Sequence, residues 1–165
     1  MNAGAWGGET WQHVVDVEVL DRGGRRHTRI PAEYEIAYRQ VRGPADEWFI
    51  AARLEFEHKP GAGADIIRDL LEKRRQSQPI GEWSCGSVFT NPPGDHAARL
   101  IESAGLKGFR IGDASVSEKH ANFIINHGTA RAADIEALIR HVQQTVAEVH
   151  HVDLKTEVRI VGVAA

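Results

Sequence analysis

Val15-Asp16-Val17-Glu18-Val19, followed at once by Leu20-Asp21-Arg22-Gly23-Gly24, decides how the first third of this chain folds. Valine at every second position turns one face of an extended segment toward a core and leaves Asp16 and Glu18 on the other. That is the period of a strand, and β-branched side chains suit its pleat. Asp-Arg-Gly-Gly is turn chemistry, so residues 25–30 can return beside the first strand as a hairpin. Further out, Trp48, Ile50, Ala52, Leu54 and Phe56 alternate with Phe49, Ala51, Arg53 and Glu55. This run is predicted to close an antiparallel β-meander that spans Trp11 to about Glu57.

The texture changes at Lys59-Pro60-Gly61-Ala62-Gly63, where Pro and Gly punctuate the chain and mark a domain boundary. Beyond it the period is helical. Ile66, Ile67, Leu70 and Leu71 form an apolar stripe, with Asp65 in the first turn and Lys73, Arg74 and Arg75 at the end, the arrangement a helix dipole favours. Pro79 bars continuation. A second helix is expected from Asp95, as N-cap, through Leu100 and Ile101 to Gly105 in the left-handed position after the last turn. A third carries Ile135, Leu138, Ile139, Val142, Val146 and Val149 on one face, with Glu136, Arg140, Gln143 and Gln144 facing away. Strands are expected at 122–126 and 156–163. In the latter, Glu157, Arg159 and Val161 share one face and Val158, Ile160 and Gly162 the other. The fold class is α+β.

Composition removes several alternatives. The chain has 165 residues, 42% of them hydrophobic and 26% charged, which suits a globular protein and excludes a collagenous, disordered or disulfide-stapled one. Twenty basic against 23 acidic residues leave a net charge of −3, so a general binder of nucleic-acid backbone is not expected, and Lys73-Arg74-Arg75 is too short a cluster to change that. Cys85 is the one cysteine and has no intramolecular partner. No apolar run approaches the roughly 20 residues that cross a bilayer, and the opening residues lack a signal-peptide layout. The expectation is a soluble, cytoplasmic chain without nucleic-acid or membrane partners.

Ser84-Cys85-Gly86-Ser87-Val88-Phe89-Thr90-Asn91-Pro92-Pro93-Gly94 packs two hydroxyls, a thiol and an amide between two helices. It reads either as a tight capping loop or as side chains presented from a loop held by rigid neighbours. It is not the Gly-x-Ser-x-Gly elbow, because the second glycine is missing. Glu157 and Arg159 read as an exposed ion-pair face or as a site, and Tyr38-Arg39 as an exposed strand end. Nine histidines show no zinc-ligand spacing, His150-His151 points to opposite faces, and no metal site is expected. Without a neighbouring base, Cys85 reads as a small buried or half-buried thiol. Neither the dinucleotide nor the P-loop fingerprint is present.

A set of motifs carries the reading further. Met1-Asn2-Ala3-Gly4-Ala5-Trp6-Gly7-Gly8-Glu9, Tyr38-Arg39, Gly86-Ser87-Val88-Phe89-Thr90-Asn91-Pro92, Leu100-Ile101-Glu102-Ser103-Ala104-Gly105-Leu106-Lys107-Gly108, Val116-Ser117-Glu118-Lys119-His120-Ala121-Asn122-Phe123-Ile124-Ile125-Asn126 and Glu157-Val158-Arg159-Ile160-Val161-Gly162 occur in this order. Together they resemble UDP-N-acetylenolpyruvoylglucosamine reductase, also called UDP-N-acetylmuramate dehydrogenase, the MurB family. The resemblance implies that residues 1–58 are the C-terminal part of an FAD-binding domain, the remnant of its antiparallel meander. Residues 59–165 would be a two-layer α/β substrate-binding domain. It also implies that the N-terminal FAD-binding half, with its Gly-rich diphosphate turn, is a missing partner.

The same resemblance implies an oxidoreductase of peptidoglycan and cell wall synthesis, with FAD as cofactor and NADPH as co-substrate. It reduces the enolpyruvyl ether of UDP-N-acetylglucosamine to UDP-N-acetylmuramate. Hydride reaching the β-carbon loads charge onto the α-carbon and its carboxylate, which calls for a fixed cation and a proton source. By resemblance Arg39 and Glu157 shape the electrostatics at the carboxylate and Ser87 gives the proton. Arg75, Asn91, Lys119 and His120 bind substrate, and Asn2, Ala3, Gly4 and Arg159 line the flavin. The 53–75 spacing leaves no room for the extra Tyr-bearing loop found in one form of the family, so the shorter form is expected. Val41 stands where the family usually has a serine. A different class remains open beside this one: a non-catalytic UDP-sugar-binding module without FAD.

Overall fold

The computed structural model describes residues 1–61 and 63–162, and the chain divides into two compact units, Met1–Gly61 and Ala62–Ala165. In the first unit, β1 (Gly4–Ala5) and β2 (Gly8–Glu9) pair tightly and lead through a single 3₁₀ turn, Thr10–His13, into β3 (Val14–Asp21). β3 and β4 (Arg26–Arg29) form the expected hairpin, with Val17 opposite Arg29 and Leu20 opposite Arg26. Asp21 closes its turn. The Asp21 carboxylate accepts the Arg25 N–H at 2.9 Å, and Gly24, at φ 75°, takes the left-handed conformation that a side chain would resist.

Two features depart from a simple meander. β5 (Glu35–Ala37) and β6 (Gln40–Arg42) make a separate hairpin, and β7 (Glu47–Leu54) returns to the other edge of β3, giving the order β4-β3-β7. Clean alternation along β7 also fails. Opposite Val19 stands Phe49 and opposite Glu18 stands Ala51, so Ile50 is an extra residue, a β-bulge. The bulge moves Phe49 onto the face of Val19, a face that also carries Ala52 opposite Val17. Phe49 there meets Trp11 at 6.0 Å and Tyr34 at 5.7 Å, with Trp11 and Tyr34 themselves 4.8 Å apart. Phe49 stays exposed all the same, as do Trp48, Ile50 and Leu54.

The second unit opens with α1 (Ala64–Ser77), which has Asp65 in its first turn and Arg74 and Arg75 in its last. Of its stripe only Leu70 is half-buried: Ile66, Ile67 and Leu71 are 51%, 60% and 55% exposed. After α2 (Ala97–Ser103), three antiparallel strands, β8 (Arg110–Ile111), β9 (Ala114–Val116) and β10 (Ile124–Asn126), form a sheet ordered β10-β9-β8, and α3 (Ala132–His150) follows. Leu100, Ile101, Leu138, Val142 and Val146 from α2 and α3 pack on Ala114, Val116 and Ile124. This is a two-layer arrangement with one sheet face helix-covered. Gly105, at φ 74°, ends α2 as expected.

Three expectations for this unit are corrected. α2 begins at Ala97 with His96, not Asp95, at the N-cap, because the Asp95 carboxylate is engaged by the His96 N–H at 2.7 Å and by the Arg99 guanidinium. Gln143 does not face away but donates to the Leu154 carbonyl at 2.8 Å, tying the segment after α3 to the helix. The strand at 156–163 is reduced to one bridge between Thr156 and Phe89. Its ladder stops because the Val88 carbonyl takes both the Glu157 and Val158 N–H groups, at 2.8 and 3.3 Å, which bends the chain there. Residue 163 lies outside the described residues.

Gly43 tests the aromatic cluster of the first unit, since a Cβ built there falls 2.2 Å from the Tyr34 ring. Gly43→Ala should destabilise that unit by about 1–3 kcal/mol, read from urea unfolding followed by tryptophan fluorescence. An unchanged midpoint would show that Tyr34 is free to move.

Candidate functional site

Buried Val88 and Phe89 fix the irregular loop at 84–94, and their backbone groups need partners that no regular strand supplies. Asn122, only 4% exposed, provides them. Its Oδ1 accepts the Phe89 N–H at 2.9 Å, its Nδ2 donates to the Phe89 carbonyl at 2.8 Å, and its backbone carbonyl accepts from Val88 at 2.9 Å. One side-chain amide thus does for residue 89 what a neighbouring strand would do. From the other side, Thr90 donates to the Lys155 carbonyl at 2.9 Å and Glu157 to that of Val88 at 2.8 Å.

This crossing brings three of the expected residues into one neighbourhood. Ser87 bridges Phe123, whose successor Ile124 faces the helices, so Ser87 and Phe123 lie on the sheet face that the helices leave uncovered. Ser87 is half-buried, and no hydrogen bond among the described residues ties down its hydroxyl. Glu157, also half-buried, is one backbone hydrogen bond from Val88. Asn91 follows in the same loop, and its Oδ1 accepts the Ala97 N–H at 3.1 Å, so it caps α2.

The Ser117 to Phe123 stretch supports the crossing. Ser117 Oγ, buried, accepts the N–H groups of Lys119 and His120 at 3.2 and 3.3 Å. His120 packs edge-on against Phe123 at 4.8 Å, and its Nδ1 accepts the Asn122 N–H at 3.3 Å. That contact selects the neutral tautomer with its proton on Nε2. Burial pushes the His120 pKa down, and Lys107 acts in the same direction. Lys119 lines a cleft of about 370 Å³ with Glu82, Arg110, Ser115, Ser117 and His127.

Other expected residues stand apart. Arg75 is exposed on α1 beside Glu72, 3.7 Å away. Arg159 is exposed and, without a strand at 156–163, shares no strand face with Glu157. Cys85 is exposed rather than buried, although its surroundings withdraw enough water to push its thiol up, so it is no activated thiolate. Among the described residues no group of three His, Cys, Asp or Glu is placed to hold a metal, and no helix is long and apolar enough to cross a membrane.

The first unit carries Arg39, and not at a strand end. Tyr38 and Arg39 are the two-residue turn of the β5–β6 hairpin, and Arg39 sits at φ 56°, a left-handed conformation that costs a side-chain-bearing residue about 1–2 kcal/mol. Its guanidinium donates to the Asn2 carbonyl at 3.2 Å and the Gly4 carbonyl at 3.5 Å. Asn2, 1% exposed, is fixed in turn: Nδ2 donates to Glu9 at 2.6 Å and Oδ1 accepts from Trp11 at 3.1 Å. Gly4 is required there, since a Cβ would fall 2.6 Å from the Gly8 carbonyl. Beside this segment lies a cleft of about 460 Å³, lined by Ala3, Gly4, Ala5 and Gly8 and by Leu54 and Phe56 among others. The Asn2 amide is spent inside the fold and does not line it.

Sequence reading overlooked Asn122 and Glu9 as holding residues. The signal for Asn122 was a β-averse amide set directly before Phe123-Ile124-Ile125. Glu9 left no comparable signal.

The second unit is thus a helix-covered antiparallel sheet with a polar loop clamped on its edge. Residues 78–161 match the family described as UDP-N-acetylenolpyruvoylglucosamine reductase, C-terminal domain, and the chain belongs to that family. It is similar to UDP-N-acetylenolpyruvoylglucosamine reductase of Coxiella burnetii (strain RSA 493 / Nine Mile phase I), 58% identical over 163 residues that cover 98% of this chain and 52% of that protein. The namesake from Legionella pneumophila (strain Philadelphia 1) is 58% identical over 166 residues, covering 98% and 53%. The crystal structure of UDP-N-acetylenolpyruvylglucosamine reductase (MurB) from Thermus caldophilus superimposes with a TM-score of 0.80 at 38% identity, covering 95% of this chain and 56% of that one. The chain therefore spans about half the length of the curated relatives it matches.

Because burial lowers the His120 pKa below its ordinary value near 6.5, the unfolded chain takes up a proton more readily than the fold once the pH drops past that value. The stability that neutral His120 contributes is complete above about pH 6.5 and is lost on acidification. Urea midpoints compared at about pH 7.5 and about pH 5.5 should fall less in His120→Gln than in the parent protein. An equal fall in both would assign the effect to other groups.

Proposed function

We propose that this chain supplies the substrate-binding and catalytic half of an enzyme that reduces UDP-N-acetylenolpyruvoylglucosamine to UDP-N-acetylmuramate in peptidoglycan synthesis, with FAD as cofactor and NADPH as reductant. The observation that carries this reading is the crossing that seats Ser87, Glu157 and Asn91 around Val88 and Phe89. Residues 1–58 serve as the end of the FAD-binding domain, residues 59–165 as the substrate domain, and the work is cytoplasmic.

The cleft beside Ala3 and Gly4 fits the edge of a flat ring. Small residues leave backbone groups accessible on one side, and Leu54 and Phe56 offer apolar cover on the other. It fits only part of an FAD molecule, and the partner supplying the rest is the N-terminal half of the family. Bound FAD supplies hydride to the β-carbon of the enolpyruvyl group.

This chain's residues handle the charge that then develops. Arg39, stiffened by the Asn2 and Gly4 carbonyls, is the fixed cation at the substrate carboxylate, and Glu157 shapes the field there. Ser87 Oγ gives its proton to the α-carbon, completing the C–H bond as the double bond is consumed, and is reprotonated from solvent. A serine is a poor acid in water. It suffices here because the α-carbanion is far more basic and the half-buried site limits competing water. Asn91, Lys119 and His120, the last through Nε2–H, would hold the sugar nucleotide, and the Arg75 guanidinium on α1 would meet its diphosphate. Arg159 would turn toward the flavin.

The test uses this chain fused to the part of the Coxiella burnetii relative that it does not cover, loaded with FAD. Ser87→Ala should leave reduction of the yellow flavin by NADPH intact and slow its reoxidation by substrate about 10²- to 10⁴-fold. Unchanged reoxidation would refute the proton-donor role. A colourless fusion that still binds the UDP-sugar would favour a binding module without FAD.

A further inference from the structure

Ser87 is the reacting group of the proposed step, yet nothing among the described residues holds its hydroxyl directly. Its position is inherited from the backbone of Val88 and Phe89. Three hydrogen bonds of 2.8 to 2.9 Å bind that backbone to a single residue, Asn122. Two of them come from the side chain, one as acceptor and one as donor, so the amide fixes both the place and the plane of the Phe89 peptide groups. Asn122 is itself held through its N–H by His120 Nδ1, and His120 by Ser117.

We propose that Asn122 is a positioning residue for Ser87: its buried amide clamps Phe89 at both backbone groups and thereby sets where the Ser87 hydroxyl stands when the α-carbon takes its proton. The proposal rests on the proton-donor reading of Ser87 and extends it. Asn122 touches no substrate. Backbone bonds to Asn122, Lys155 and Glu157 hold Val88 and Thr90, but at Phe89 only the amide gives direction, because apolar contact is non-directional. A displacement near 1 Å at a reacting group costs about 10²-fold in rate.

Two variants in the FAD-loaded fusion test it. Asn122→Ala removes both side-chain bonds. Asn122→Asp keeps the shape and the acceptor, but only its protonated form donates to the Phe89 carbonyl. With Asn122→Ala, flavin reduction by NADPH should stay within about 2-fold and substrate-driven reoxidation should fall about 10- to 100-fold, mainly in the limiting rate rather than in the substrate concentration needed. With Asn122→Asp, reoxidation should recover as the pH is lowered, while flavin reduction follows the parent protein. Equal loss in both half-reactions, a pH profile like the parent's, or absence of folded protein from both variants would overturn the proposal in favour of a purely structural clamp. Ser87→Ala run alongside separates the two ideas. If that variant reoxidises normally, the proton-donor reading has failed, whereas if only the Asn122 variants do, the positioning role has.

Discussion

The amide of Asn122 meeting both backbone groups of Phe89 is the contact on which the second unit turns. Val88 and Phe89 are pulled into the core by their side chains, and burial makes each N–H and carbonyl a liability of about 1–3 kcal/mol if left without a partner. Four such groups are satisfied by two segments distant in sequence, Asn122 on one side and Glu157 and Val158 on the other. The satisfaction of the loop therefore dictates where the chain after α3 must run. Gln143 reinforces it by holding the Leu154 carbonyl.

The first unit solves a like problem with the same residue type. Asn2 is buried, its amide is divided between Glu9 and Trp11, and its carbonyl receives Arg39. Arg39 reaches that carbonyl from a hairpin turn in which its own backbone is left-handed, so the turn tolerates an unfavourable conformation in exchange for placing the guanidinium. In each unit one buried asparagine fixes a loop whose neighbouring side chain is polar and accessible.

How far the fold could be read from the residues follows from which interactions are local. The Asp21 turn, the amphipathic stripe of α3 and the glycine ending α2 depend on neighbours within a few positions, and each forms as its pattern indicates. The bulge at Ile50 depends on the register of β3, and the loss of the strand at 156–163 on one carbonyl across the molecule, Val88. Neither leaves a trace in its own alternation. The stripe of α1 was legible as helix, but period alone does not say what a face packs against, and here Ile66, Ile67 and Leu71 stay more than half exposed. At the candidate site, motif order named Ser87 and Glu157 as candidates, and the loop crossing brings them near one another. Nothing in their spacing revealed that Asn91 would cap a helix or that Arg39 would occupy a turn.

The division of labour between apolar and polar contacts bears on the chemistry. Valine and leucine set the distance between helices and sheet with energy but little direction, since a methyl group accepts many approaches of similar depth. A hydrogen bond discriminates by a few tenths of an ångström and by angle. Proton delivery from a hydroxyl to a carbon depends on distance and line of approach and tolerates little misplacement, so its carrier has to be located by the second kind of contact. A core built only of side chains like Val88 would keep the unit folded without fixing where the Ser87 hydroxyl stands. The asparagine beside it supplies that direction, one amide meeting both backbone groups of Phe89.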